Sequence, residues 1–136
     1  MKKILLLLLF ATAPVFAQNT TFNPIGKWQA TEKNEAITIT FDKEGYVAIQ
    51  RGDEVIGGKS FEMEGVKGSM VYKFDPDGVK GHLDMIMTVL DTQESHTLMA
   101  LYKIVSTDEI VIAIDGAERP ENFDSKDALT FKRVKL

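Results

Sequence analysis

From Gly26 onward the chain alternates between apolar and polar positions. Glu35 to Asp42 sets Ile37, Ile39 and Phe41 on one face and Thr38 and Thr40 on the other. A repeat of two is what a strand with one buried face requires. Lys43-Glu44-Gly45 then predicts a turn, with Gly45 the residue able to take the positive φ of a tight hairpin, and Tyr46 to Arg51 predicts the returning strand. Glu54 to Met63 predicts a strand interrupted at Gly57-Gly58 by a bulge or sharp bend. Ser69 to Phe74 alternates Met70, Tyr72 and Phe74 against Val71 and Lys73, and ends in an Asp75-Pro76-Asp77-Gly78 turn. His82 to Leu90 carries Leu83, Met85, Met87 and Val89 on one face. Thr97 to Val105, Glu109 to Asp115 and Ala128 to Val134 complete the series, with Gly26 to Glu32 at its front. No apolar set keeps helical spacing over three turns; a short helical turn is expected at most near Pro120 to Ser125.

Many short strands with short connections define a meander, which closes as a sandwich or as a barrel. An open meander of this length would expose two strand edges, which closure removes. A sandwich also needs longer crossing connections. The expected fold is therefore all-β, an up-and-down antiparallel β-barrel of about eight strands.

The start of the chain reads differently. Met1-Lys2-Lys3 precedes an apolar run from Ile4 to Phe10, and Val15 and Ala17 stand at the −3 and −1 positions of a cleavage site. This is the pattern of a secretory signal peptide over residues 1–17. The run is too short for a membrane-spanning helix, which needs roughly 20 apolar residues. Residues 18–24 then form a flexible leader and residues 25–136 the barrel domain. The chain has no cysteine, which excludes a lipid anchor, disulfides and a thiolate metal site, and leaves stability to burial and hydrogen bonding. The expected location is periplasmic or extracellular. Without Lys2 and Lys3 the domain holds 14 basic against 20 acidic side chains, a net of about −6. That balance argues against nucleic acid and anionic membranes as partners.

Gly26-Lys27-Trp28 on the first strand and Arg133 on the last resemble the signature of the lipocalin (calycin) superfamily. The resemblance implies that Trp28 lies across one barrel end and that Arg133 packs over it. Strand parity agrees, because Leu129, Phe131 and Arg133 share a face. An inward arginine is costly unless paired, and an indole face with backbone carbonyls nearby would pair it. The chain is also similar to small bacterial lipocalin-like domains carrying Glu-Arg-Pro-x-x-Phe, here Glu118-Arg119-Pro120-Glu121-Asn122-Phe123. The structural signature is thus Gly26, Trp28, Arg119, Pro120, Phe123 and Arg133. Arg119 is read first as a loop anchor that hydrogen-bonds carbonyls, and second as a ligand contact.

Other chemistry is sparse. His82 and Asp84 share a strand face but lack a third metal ligand, and both are expected at the solvent side. Ser95 and His96 are adjacent, so on a strand they point to opposite faces and cannot act as a nucleophile pair. Asp75-Pro76-Asp77-Gly78 lacks the bidentate Glu of a calcium loop. Asn19-Thr20-Thr21 matches a glycosylation sequon in the leader. No catalytic constellation, metal site or cofactor emerges, and an enzyme is not expected. The inward Met70, Tyr72, Phe74, Met85, Met87 and Tyr102 form the expected ligand-binding set, since thioethers and rings adapt to apolar molecules. The same residues would also serve as plain core filling. Two functions follow. The first is a lipocalin-like protein binding a small apolar or amphipathic ligand in the barrel. The second is a non-catalytic interaction or inhibitor protein acting through its loops or outer face, with the barrel filled.

Overall fold

The computed structural model describes residues 22–77, 80–116, 118–124 and 128–135. The expected signal peptide, most of the leader and the sequon lie outside the described residues, as do Gly78 and Ser125. Nine strands form among the described residues: β1 Gly26–Glu32, β2 Glu35–Phe41, β3 Val47–Arg51, β4 Glu54–Met63, β5 Val66–Asp77, β6 Lys80–Val89, β7 Ser95–Ser106, β8 Glu109–Ile114 and β9 Ala128–Arg133. They follow one another in sequence order around a closed antiparallel barrel, the architecture the alternation predicts. β5 continues as strand through Asp77, so Asp75 and Pro76 are strand residues where a turn is expected.

The strand count hides a change of direction. In a ring of nine straight strands that alternate in sense, the first and ninth run the same way and would pair parallel. Here β1 and β9 pair antiparallel through Trp28 opposite Arg133 and Gln29 opposite Lys132. One strand must therefore reverse. β4 does so at Gly57-Gly58, where both residues hold positive φ (107° and 86°). Residues 54–57 pair with β3, whereas Gly58 and Phe61 to Met63 pair with β5. Beyond the reversal β3 meets β5 directly, with Tyr46 opposite Val71 and the Tyr72 N–H donating to the Gly45 carbonyl at 3.0 Å. In sense, the ring is eight-stranded. A Cβ at Gly57 would collide with the Val47 carbonyl oxygen and the Met70 methyl, so both backbone angle and space require glycine there.

The inward positions form one core that includes Trp28, Ile39, Phe41, Leu83, Met85, Tyr102, Ile110, Ile112 and Phe131. Among the described residues no polar side chain is fully buried and no buried side-chain nitrogen or oxygen lacks a partner. Two ends result. The clasp end collects residues 22–25, the β2–β3 turn, the Thr107-Asp108 turn and Arg133. The mouth collects the turns at Lys33-Asn34, Gly52-Asp53, Glu64-Gly65 and Leu90 to Glu94.

Candidate functional site

At the clasp end Trp28 is fully buried, and its indole N–H donates to the Pro24 carbonyl at 2.8 Å. The Arg133 guanidinium carbon sits 4.2 Å from the indole ring centre. Its N–H groups donate to the carbonyls of Asn23 (2.7 Å), Ile25 (2.8 Å) and Thr107 (3.0 Å) and to the Asp108 carboxylate (3.1 Å). A planar fork of five donors suits this set of acceptors in a way a lysine ammonium would not. Gly26 leaves room for the arm, because a Cβ there would stand 3.1 Å from an Arg133 nitrogen. The hydrogen bond from Lys135 to Asp108, helped by the Lys135 charge and by Arg133, holds the Asp108 carboxyl below its ordinary value against partial desolvation.

Beneath the clasp lies a floor of rings. Phe74 makes edge contacts with Phe41 (5.2 Å), Tyr72 (5.7 Å) and Tyr102 (4.9 Å), and Phe22 bridges Phe74 to Trp28. Edge-to-face pairs of this kind add about 0.5–1.5 kcal/mol beyond area burial. The Tyr72 hydroxyl donates to the Asp42 carbonyl at 2.8 Å. Burial raises both tyrosine pKa values, with Asp42 adding to the effect at Tyr72 and Asp75 at Tyr102.

At the mouth the barrel is not filled. A cavity of about 320 Å³ is lined by Ile49, Ile56, Met70, Met85, Met87 and Leu98, with His96, Thr97 and Gly116 at its edge. The expected ligand-binding set is thus divided. Met70, Met85 and Met87 line the cavity, whereas Tyr72, Phe74 and Tyr102 belong to the aromatic floor. Ile49, Ile56, Leu98 and His96 were not in that set. Leu98 was within reach of the sequence, since it shares parity with Ala100 and Tyr102 on β7. His96 shares it too, but stands in a polar run that reads as a turn.

The apolar wall continues past the rim. Met63 and Val66 face each other at the tip of the β4–β5 hairpin, 41% and 48% exposed. They lie on the same sheet face as Phe61 and Gly68, and the Phe61 ring occupies the space a side chain at Gly68 would need.

A second depression, about 510 Å³, lies outside the barrel wall. Here the Glu118 to Asp124 strap crosses β6 and β7. Arg119 pins it, donating to the Ala100 carbonyl at 2.8 Å and pairing with Asp84 at 2.6 Å. Asp84, expected at the solvent side, is half-buried because this strap covers it. Pro120 is buried and the Lys103 ammonium stands 5.7 Å from the Phe123 ring centre. Asp75, Lys80, His82, Leu101, Glu121 and Phe123 line the groove, a mixture of both charges and apolar surface. Among the described residues no three or more histidine, aspartate or glutamate groups converge as metal ligands.

Comparison of the chain with protein-family models, with curated proteins and with solved structures finds no match.

Proposed function

We propose that the protein is an exported, lipocalin-like carrier that takes a small aliphatic molecule into the mouth of the barrel, opposite the Trp28–Arg133 clasp. The observation that carries this reading is the cavity walled by three methionines, two isoleucines and a leucine. Its volume of about 320 Å³ stands at the low end of the roughly 300–1,000 Å³ of small-molecule sites, which favours a slender chain over a bulky ring system. Flexible thioethers adapt to such a chain, and the rim supplies His96 for a polar head. The test is displacement of the linear polyene fluorophore cis-parinaric acid by dodecanol. The wild-type chain is expected to bind both, and Met87→Trp, which fills the mouth, to bind neither while still unfolding cooperatively. Equal dodecanol affinity in wild type and Met87→Trp would overturn the reading.

The rival reading, an interaction protein, is favoured by a different observation: the outer groove under the strap is larger and carries both charges. A protein partner lost with Leu101→Arg and retained with Met87→Trp would move the function from the mouth to that groove.

A further inference from the structure

Met70, Met87 and His96 stand opposite one another on β5, β6 and β7, forming one row across the inner face of the sheet. Met85 lies two positions before Met87 on the same face, and all four residues line the mouth cavity. Residues paired directly on one sheet face hold their Cβ atoms about 4.5–5.5 Å apart, so Met87, in the middle of the row, is within side-chain reach of both Met70 and His96. Met70 and Met85 are buried, Met87 is half-buried and His96 is exposed, which grades the row from interior to rim. The result is three thioether sulfurs and one imidazole in a cavity with no carboxylate in its lining.

That donor set has a definite preference. Thioethers are soft donors that select Cu(I), and imidazole binds copper as well. Magnesium and calcium require oxygen ligands, which this wall does not offer. We infer that the mouth holds a Cu(I) site, with the Met70, Met85 and Met87 sulfurs as inner ligands and His96 closing it at the rim. All four donors are neutral, so the bound ion keeps its single positive charge. The turns around the mouth and the residues directly flanking them carry Glu32, Glu35, Asp53, Glu54, Glu64, Asp91 and Glu94 against Lys33 and Arg51, a field that favours a cation. In an oxidising compartment thiols are drawn into disulfides, whereas thioethers remain available, and this chain contains no cysteine.

This inference shares the cavity with the aliphatic-ligand reading but does not rest on it. One needs apolar shape, the other needs sulfur. The experiment is an anaerobic titration of the full chain with Cu(I) in competition with bicinchoninate, with no dodecanol present. The expected result is capture of one equivalent, with sulfur scatterers in the X-ray absorption spectrum. Leucine replaces methionine with little change of volume. The M70L/M85L/M87L triple variant should therefore unfold near the wild-type midpoint and lose at least about 100-fold in Cu(I) affinity, beyond the 10–100-fold of losing an outer-shell partner. Should the triple variant fail to fold, Met87→Leu alone, at the half-buried position, is expected to weaken capture about 10-fold. No capture by wild type, or equal capture by the leucine variants, would overturn the inference. Dodecanol displacement on metal-free wild type reports separately on the carrier reading.

Discussion

At the clasp end, six aromatic rings and a stacked arginine fill the barrel; at the mouth, thioethers and branched aliphatics line it and leave about 320 Å³ open. The two ends are built from the same strands, and often from neighbouring inward positions of one strand. On β5, Met70 belongs to the mouth, while Tyr72 and Phe74 belong to the floor. The difference lies in side-chain rigidity. Rings lock into edge contacts with fixed geometry, whereas methionines fill space without specifying it. Order concentrated at one end leaves the packing of the other end adaptable.

The largest expected effect follows from that asymmetry. Trp28→Ala removes a fully buried indole and uncovers the Arg133 guanidinium, and should cost about 3–5 kcal/mol in urea unfolding. Met87→Ala, at the half-buried mouth, should cost clearly less, because solvent already reaches the site. Equal costs would erase the contrast between the ends.

Gly57→Ala is of similar size and acts between the two ends. The alanine would need a left-handed backbone, about 1–3 kcal/mol, and would press on the Val47 carbonyl and the Met70 methyl, about 1–3 kcal/mol more. Because β4 reverses at this point, the β4–β5 hairpin is expected to lose its pairing first. Faster amide hydrogen exchange at Phe61 to Lys67 than at β6 to β8 would show this. Gly58→Ala, with nothing within 4 Å of its Cβ, carries the backbone strain alone and should cost less.

How much of this contrast the sequence discloses depends on what kind of information each part needs. Alternation with a period of two made the strands and their inward faces legible from Ile37, Ile39 and Phe41 onward, and avoidance of open edges pointed to a barrel. Parity also placed Arg133 on the side of Trp28. Height along the barrel axis is another matter, because it comes from cross-strand register. Six inward residues therefore read as one set, although register layers them: Met70 stands opposite Met87 at the mouth, Tyr72 opposite Met85 one step below, and Phe74 and Tyr102 nearer the clasp. The reversal of β4 was hidden for a related reason: Gly57-Gly58 reads as a bulge until the pairing of β1 with β9 demands a change of sense. The Asp84 partner, Arg119, comes from a strap 35 positions away, a separation no local pattern reports.

Smaller effects should appear as pH slopes at the filled end. Asp108 titrates below its ordinary value in the folded chain because Lys135 and Arg133 favour the carboxylate. Its contribution is fully present above about pH 3.9, the ordinary aspartate value, and is lost as pH falls through the lower folded value. Tyr72 and Tyr102 are raised, chiefly by burial. Their contribution is complete below about pH 10 and is lost as pH rises through the folded values. Unfolding midpoints measured against pH should therefore fall at both extremes. Asp108→Asn should flatten the acid limb, and Tyr72→Phe the alkaline one.

The smallest expected effect tests where the mouth ends. Met63 and Val66 face each other at the hairpin tip, half-exposed, yet lie on the sheet face that continues the cavity wall. A Met63→Ser, Val66→Thr double variant removes apolar surface that is already wet, so its unfolding free energy should stay within about 0.5 kcal/mol of wild type. If the tip is only exposed surface, dodecanol should displace the fluorophore as well as before. If it forms the outer part of the binding wall, dodecanol affinity should fall several-fold at unchanged stability, and shorter alcohols should be affected less than longer ones. That chain-length dependence would mark how far the mouth reaches beyond the closed ring of strands, a boundary the clasp end, sealed by Trp28 and Arg133, does not share.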